Sequence, residues 1–270
     1  MDIDGTVCVG PVTIDGAIDT VSSIRERGIR LIFFTNDSSR SRAQIAKRLS
    51  DAGIECSPED VMSSGFMAAQ YVRDKGYERI FISGTDGLKE EFESQGIRSV
   101  DPKEADTLVI GMDFTIDYEK IKTAVNAAIS ASHIIICNRD RIFKCSADSV
   151  CPGCGAVVAA VEYCSGKNSE VMIGKPEPFM IEYICDQYGI GKGEILIVGD
   201  SYTSDIQMGL DNGTYTFQVS VDDDSMKKIG DLPTFLDEII QRRSLIDCFT
   251  KNVSDSIFYH KFQLFDSFQI

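Results

Sequence analysis

Histidine is nearly missing from this chain: only His133 and His260 occur, which leaves Ser-His-Asp hydrolysis and multi-histidine metal centres little to work with. Positive charge is also scarce. Asp and Glu number 42 against 27 Lys and Arg, a formal net charge of -15, and a surface of that sign repels nucleic acid and anionic membranes. An anionic small substrate then needs a local positive feature, such as a metal ion or a helix N-terminus. No apolar run approaches the roughly 18 residues of a membrane span; the stretch from Gly155 to Val161 is among the longest. The opening residues Met1, Asp2, Ile3 and Asp4 lack the basic and apolar regions of a secretory leader, so a cytoplasmic location is expected. There is no GxxxxGK(S/T) loop, which counts against an ATPase of that type. The nine cysteines include a single CxxC, Cys151 to Cys154, with no second pair or histidine at ligand spacing. That set fits reduced thiols better than a zinc knuckle or a disulfide framework.

What the chain does have is alternation. Apolar runs of strand length alternate with amphipathic stretches of helix length from Asp15 almost to Ile240, the pattern of a parallel sheet with crossover helices, so the class is α/β. Strands are predicted over 30–34, 194–198 and 215–219, with helices over 40–52 and 202–211. A block at about 66–170 carries its own alternation: strands over 79–83, 107–112 and 133–137, helices over 86–95 and 117–131. It is long enough to form a second domain. No fixed-period repeat or low-complexity segment occurs, and Asp222, Asp223 and Asp224 read as a solvated loop.

Four stretches carry chemistry. Asp2 and Asp4 stand at i and i+2, so on an extended segment their carboxylates point the same way; one can attack while the other manages protons. A calcium loop is excluded because the glycine falls at the fourth position, Gly5, and Thr13 occupies the twelfth. A polar terminal turn is the bland alternative. Second, the apolar run Leu31 to Phe34 ends in Thr35 and Asn36, with Ser38 and Ser39 leading to a helix. Donors at the end of a buried strand suit an anion, although helix capping explains them equally. Third, Pro176 constrains Lys175 to an extended conformation and can begin the next helix, which holds an ammonium at a rigid junction; a plain surface lysine is the alternative. Fourth, Asp200 follows the run Ile195 to Gly199 and Asp205 falls in the first turn of the next helix. The two form a hard-oxygen pair suited to Mg²⁺, unless Asp205 serves only the helix dipole.

In this order, Asp2 to Thr6, Thr35 with Asn36, Lys175, and Gly199 with Asp200 through Asp205 resemble the four motifs of the haloacid dehalogenase (HAD) superfamily. The closest likeness is to its NagD-type, p-nitrophenyl-phosphatase-like branch (subclass IIA). Supporting stretches are residues 5–10, 34–42, 138–140 and 152–161, and the likeness covers about residues 1–240. The resemblance implies a Rossmann-like parallel-sheet core of residues 1–65 and 171–241, an inserted α/β cap of the C2 type at 66–170, and a C-terminal extension, 242–270, of unassigned role. It implies a Mg-dependent phosphatase acting on a small phosphorylated metabolite, such as a sugar phosphate or nucleotide, through an aspartyl-phosphate. In that scheme Asp2 is the nucleophile and Asp4 the acid and base. Thr35, Asn36 and Lys175 hold the phosphoryl group. Mg²⁺ is bound by Asp2, by the Asp4 carbonyl and by Asp200, with Asp205 close by. Asn138 and Asp140 match a cap motif facing the substrate. Caps of this branch take part in dimer contacts, so a homodimer is compatible.

The chain departs from the family at three places. About five apolar residues precede the first motif Asp in the family but only Met1 does here, so truncation at the N-terminus and a poorly anchored nucleophile are expected. Ser201, Tyr202, Thr203 and Ser204 stand where a basic residue and another Asp are common. Phe258, Phe262 and Phe265 fall at helical spacing in the final segment, a pattern that fits packing better than a membrane surface. A catalytically lapsed binding protein on the same scaffold is the rival reading from outside enzymology, and a phosphomutase the rival within it, although its members usually carry a helical cap after the first motif.

Overall fold

The computed structural model describes residues 1–146 and 149–241; the segment with Phe258, Phe262 and Phe265 lies outside them. The chain divides into two compact units, Met1–Gly230 and Asp231–Ile270. In the second, residues 232–241 are helical.

The first unit contains a four-stranded, all-parallel sheet in the order Val171–Met172, His133–Ile136, Thr107–Ile110, Ile80–Ser83. Strand alternation sends Leu108, Ile110, Ile134 and Ile136 to one face, into a cluster with Ala124, Ala127, Ala128, Val158 and Val161 of the helices Tyr118–Ser130 and Cys154–Ser165. Ile80, Ile82, Val109 and Ile135 join the opposite cluster, with Phe66, Ala69 and Val72 of the helix Ser64–Asp74. Apolar residues on both faces explain why these strands read as continuous hydrophobic runs instead of alternating ones. Fully burying each such Ile or Leu contributes about 1.5–3 kcal/mol.

A second set of strands frames the N-terminus. Phe33–Thr35 pairs in parallel with Val61–Ser63, and Leu196–Gly199 with Tyr215–Gln218. Between them lie Met1 and Asp2. The Asp2 amide donates to the Val198 carbonyl at 2.7 Å, while Phe34 N–H donates to the Met1 carbonyl at 2.9 Å. Met1 and Asp2 together are therefore hydrogen-bonded to both neighbouring strands. The buried residues Phe34, Met62, Ile195 and Ile197 belong to the same hydrophobic cluster as Ile80 and Ile135.

Most predicted elements are found within two residues of their expected ends; the helix predicted over 40–52, for example, spans Arg42–Asp51. Its start is set by Ser41, whose side chain accepts from Gln44 N–H in a capping box, and not by Ser38 or Ser39. Two junctions differ from expectation. The helix after Lys175 begins at Phe179, not at Pro176, and the one after Asp200 opens with a wide π-type turn, Tyr202–Ile206, before regular helix over Gln207–Asn212. The cysteine reading also needs correction. Cys8, Cys56, Cys137, Cys154, Cys164 and Cys185 are free thiols, but Cys151 is disulfide-bonded.

Docking of the loop after Thr35 onto the four-stranded sheet positions the site. Asn138 and Lys175 follow the C-terminal ends of two adjacent parallel strands, and both reach Asn36: Asn138 Nδ2 donates to the Asn36 carbonyl at 2.7 Å. Ser38 Oγ accepts from Met112 N–H at 2.9 Å, and Thr85 Oγ1 donates to the Ser39 carbonyl at 2.6 Å. Glycine is required where backbone comes this close: a Cβ at Gly174 would lie 2.5 Å from Asn36 Oδ1.

Candidate active site

Three of the four expected stretches meet. Lys175 Nζ donates to Asp2 Oδ1 and to Asp205 Oδ1, each at 2.6 Å. Carboxylate oxygens of Asp2, Asp200 and Asp205 all lie within 4.8 Å of one another. Asp2 and Lys175 are each 5% exposed and Asp205 is fully buried. Asp200 and Asp205 follow the strand Leu196–Gly199, Lys175 follows the half-buried strand Val171–Met172, and Asp2 is bridged to Phe34. Thr6 Oγ1 is 3.4 Å from Asp2 Oδ2 and 3.5 Å from Asp200 Oδ1. Ser201 N–H donates to Asp205 Oδ2 at 3.1 Å, which fixes the carboxylate inside the π-type turn.

The electrostatics are those of a site short of positive charge. Burial pushes the Asp2 carboxyl well above the usual range, and Lys175 works against that rise. Burial, then the nearby Asp205, raises Asp200 as well. Burial opposes the charge on Lys175, but Asp2 and Asp205 outweigh it and hold the ammonium above its ordinary value. Three carboxyl groups thus share one cation. Hard oxygen donors clustered in this way, with charge left over, match what Mg²⁺ takes from protein.

Asp4 is not a member of that carboxylate group. Its side chain is 48% exposed and forms a two-pronged ion pair with Arg48, Oδ1 to Nη1 at 3.0 Å and Oδ2 to Nη2 at 3.2 Å. The expectation that Asp2 and Asp4 point the same way assumed extended backbone through both. The chain instead turns at once: Gly5 has φ of 92°, its N–H donates to the Cys8 carbonyl at 2.8 Å, and Thr6 N–H donates to the Ile3 carbonyl at 3.3 Å. Gly5 also has to be glycine for contact reasons, since a Cβ there would sit 2.4 Å from Asp200 Oδ2.

Thr35 is buried at the tip of its strand, and its Oγ1 accepts from Asp37 N–H at 3.0 Å. Asn36 is fully engaged. Its Oδ1 accepts from Lys175 N–H at 2.8 Å. Its Nδ2 donates to the Lys175 carbonyl at 3.2 Å and to both Asp140 oxygens at 3.1 and 3.2 Å. An amide so used brackets the Lys175 backbone, with both of its N–H groups engaged. Asp140 N–H donates to Asn138 Oδ1 at 3.1 Å, so Asn138 and Asp140 are tied to the Asn36 loop, close to Lys175. Sequence reasoning missed Arg48, which sits in the last turn of a helix with nothing in its spacing to single it out. It also gave no role to Gly5 or to Gly199, where a Cβ would lie 2.3 Å from Asp205 Oδ2.

Comparison with known proteins converges on one family. A haloacid dehalogenase-like hydrolase family model matches residues 1–98, and a HAD-hydrolase-like model matches residues 172–235. The sugar-phosphatase AraL of Bacillus subtilis is 35% identical over 211 residues, 77% of each chain. Among solved structures, a 4-nitrophenylphosphatase from Thermotoga maritima superposes with a TM-score of 0.80 at 27% identity, covering 86% of this chain and 94% of that one. A glycerol phosphate phosphatase from Mycobacterium tuberculosis, in complex with magnesium, gives 0.72 at 28% identity over 81% and 65% of the two chains.

Proposed function

This chain belongs to the haloacid dehalogenase-like hydrolases, in which it is a phosphatase of the NagD and p-nitrophenylphosphatase type, and from that premise we propose that it hydrolyses a small phosphomonoester, a sugar phosphate or similar, through an aspartyl-phosphate on Asp2. The buried Asp2–Lys175–Asp205 arrangement with Asp200 beside it carries this reading. The donor set fits Mg²⁺, with Asp2, Asp200 and Asp205 as the side chains that would hold it. Bound there, the ion supplies positive charge against the carboxylates and the phosphoryl oxygens.

In the first half-reaction an Asp2 carboxylate oxygen forms a bond to phosphorus as the bond to the ester oxygen breaks, and Asp4 gives its proton to that leaving oxygen. In the second, Asp4 takes a proton from water, the water oxygen attacks phosphorus, and inorganic phosphate leaves Asp2 free. Lys175 orients the attacking carboxylate and offsets charge on the transferring group, as phosphoryl transfer mainly requires. Asn36 keeps Lys175 in place through its backbone. Thr35 stands at the strand end as a hydroxyl contact for the phosphoryl group, and the segment 66–170, as a cap, carries selection of the leaving group, with Asn138 and Asp140 joining it to the core loop. The sugar-phosphate class rests on the relatives' names.

Release of nitrophenol from p-nitrophenyl phosphate tests the proposal. Turnover should require Mg²⁺ and disappear in Asp2→Asn. Equal turnover in excess chelator, or an active Asp2→Asn protein, would remove Asp2 and the ion from the mechanism.

A further inference from the structure

The Asp4 carboxylate stands apart from the buried cluster, and one cation accounts for where it stands. Arg48 meets both of its oxygens with both terminal nitrogens, at 3.0 and 3.2 Å, the planar fork geometry that fixes a carboxylate in orientation as well as in place. Arg48 Nε is buried and has no hydrogen-bond partner among the described residues, so the guanidinium is committed to Asp4. The backbone on either side is fixed. Asp4 makes a parallel bridge with Cys8, and Arg48 belongs to the helix Arg42–Asp51; Ala52, just past that helix, accepts at its carbonyl from Thr13 Oγ1 of the strand Val12–Thr13 at 2.5 Å. Any movement of the Asp4 carboxylate is therefore a rotation of its own side chain. With the side chain half in solvent, nothing else in the described structure restrains that rotation.

We propose that Arg48 is a positioning residue for the reaction: it holds the Asp4 carboxylate in one orientation and acts on catalysis only through Asp4. This rests on Asp4 being the acid and base of the proposed function. Without the fork, Asp4 spreads over several side-chain rotamers, of which few face the leaving oxygen, and misplacement on this scale lowers turnover by about tenfold or more. Because Arg48 touches neither the buried cluster nor, on this account, the substrate, Mg²⁺ affinity and KM stay put.

The test is a double-mutant cycle on p-nitrophenyl phosphate, whose leaving group is good enough for residual turnover without an acid. Arg48→Met, which keeps the apolar stem, should lower kcat by about tenfold with KM and the calorimetric Mg²⁺ affinity within about twofold of wild type. In an Asp4→Asn background the same substitution should change kcat by less than about twofold, since the group it served is gone. An equal loss in both backgrounds, or a loss expressed in KM, overturns the inference and makes Arg48 a substrate contact or a purely structural residue. An Asp4→Asn protein as active as wild type would instead sink the acid–base reading itself, and the role of Arg48 with it. Should Arg48→Met fold poorly, Arg48→Lys serves in its place, because it keeps stem and charge but cannot form the fork.

Discussion

Lys175 is where the structure makes its largest quantitative commitment. Its side chain is 5% exposed, and the ammonium lies 2.6 Å from one oxygen of Asp2 and 2.6 Å from one of Asp205 and 4.7 Å from the centroid of the Phe34 ring. Lys175→Met keeps the apolar stem against that ring and removes only the charge. The buried Asp2 and Asp205 carboxyl groups and the half-buried Asp200 then remain with no countercharge among them. Breaking a buried ion pair from one side typically costs about 3–5 kcal/mol, and for a domain of this size each kcal/mol moves Tm by about 2–4 °C. The variant should therefore melt about 6–20 °C below wild type in thermal scans at neutral pH with chelator present. The loss should also shrink as pH falls. Burial already raises the Asp2 carboxyl above its ordinary value, and removing Lys175 raises it further, so the folded state holds a proton that the unfolded chain releases above about pH 4. Destabilisation is thus greatest at high pH and is relieved as protonation replaces the missing cation. Turnover should fall by about 10²–10³. A Lys175→Met protein that melts within a degree or two of wild type at neutral pH, or that loses more stability at low pH than at high, would refute the picture of one lysine neutralising a buried acidic cluster.

Two further outcomes follow from the same geometry. Gly5 and Gly10 both adopt positive φ, 92° and 59°, but a Cβ at Gly5 meets Asp200 at 2.4 Å whereas one at Gly10 meets nothing within 4 Å; Gly10→Ala should cost only the backbone strain of about 1–2 kcal/mol, while Gly5→Ala should also weaken Mg²⁺ binding, and equal affinities in the two variants by calorimetry would contradict the close contact. Because Asp2 and Asp200 both titrate above the usual carboxylate range, Mg²⁺ must displace protons, so its affinity should fall as pH is lowered from about 8 to about 6, with proton release detectable in buffers of different ionisation enthalpy; affinity that is flat or tighter at low pH would contradict this.

The sequence was informative where local pattern and long-range packing agree. Runs such as Leu108 to Ile110 and Ile134 to Ile136 are apolar because both faces of their sheet are covered, and that makes them visible as strands without any structure. The convergence of Asp2, Asp200 and Asp205 was legible for a related reason: Asp2 is hydrogen-bonded beside the buried strand that Asp200 and Asp205 follow, and neighbouring strands deliver such positions to one edge of a sheet, whereas Lys175 comes in after Val171–Met172 of the four-stranded sheet. The direction of Asp4 was not. It is decided by the turn at Gly5 and by Arg48, 44 residues away in sequence, and no spacing rule connects the two. Asn36 is a similar case. Its position after a strand suggested an anion contact and gave no sign that its amide engages Lys175 and Asp140, 139 and 104 residues along the chain, partners that only the docking of two sheets brings together. The π-type turn at Tyr202–Ile206 escaped notice because its composition is that of an ordinary first helical turn.

The account stands on a covalent bond to one oxygen of Asp2. Mixing the Mg²⁺-loaded protein with p-nitrophenyl phosphate, quenching in acid during turnover and mapping the digested peptides by mass spectrometry reads it directly. A single phosphoryl group on the N-terminal peptide at Asp2, absent from Asp2→Asn, is the predicted result. Turnover with no trapped phosphoryl group under conditions that preserve acyl phosphates, or a phosphoryl group on any other residue, would contradict it.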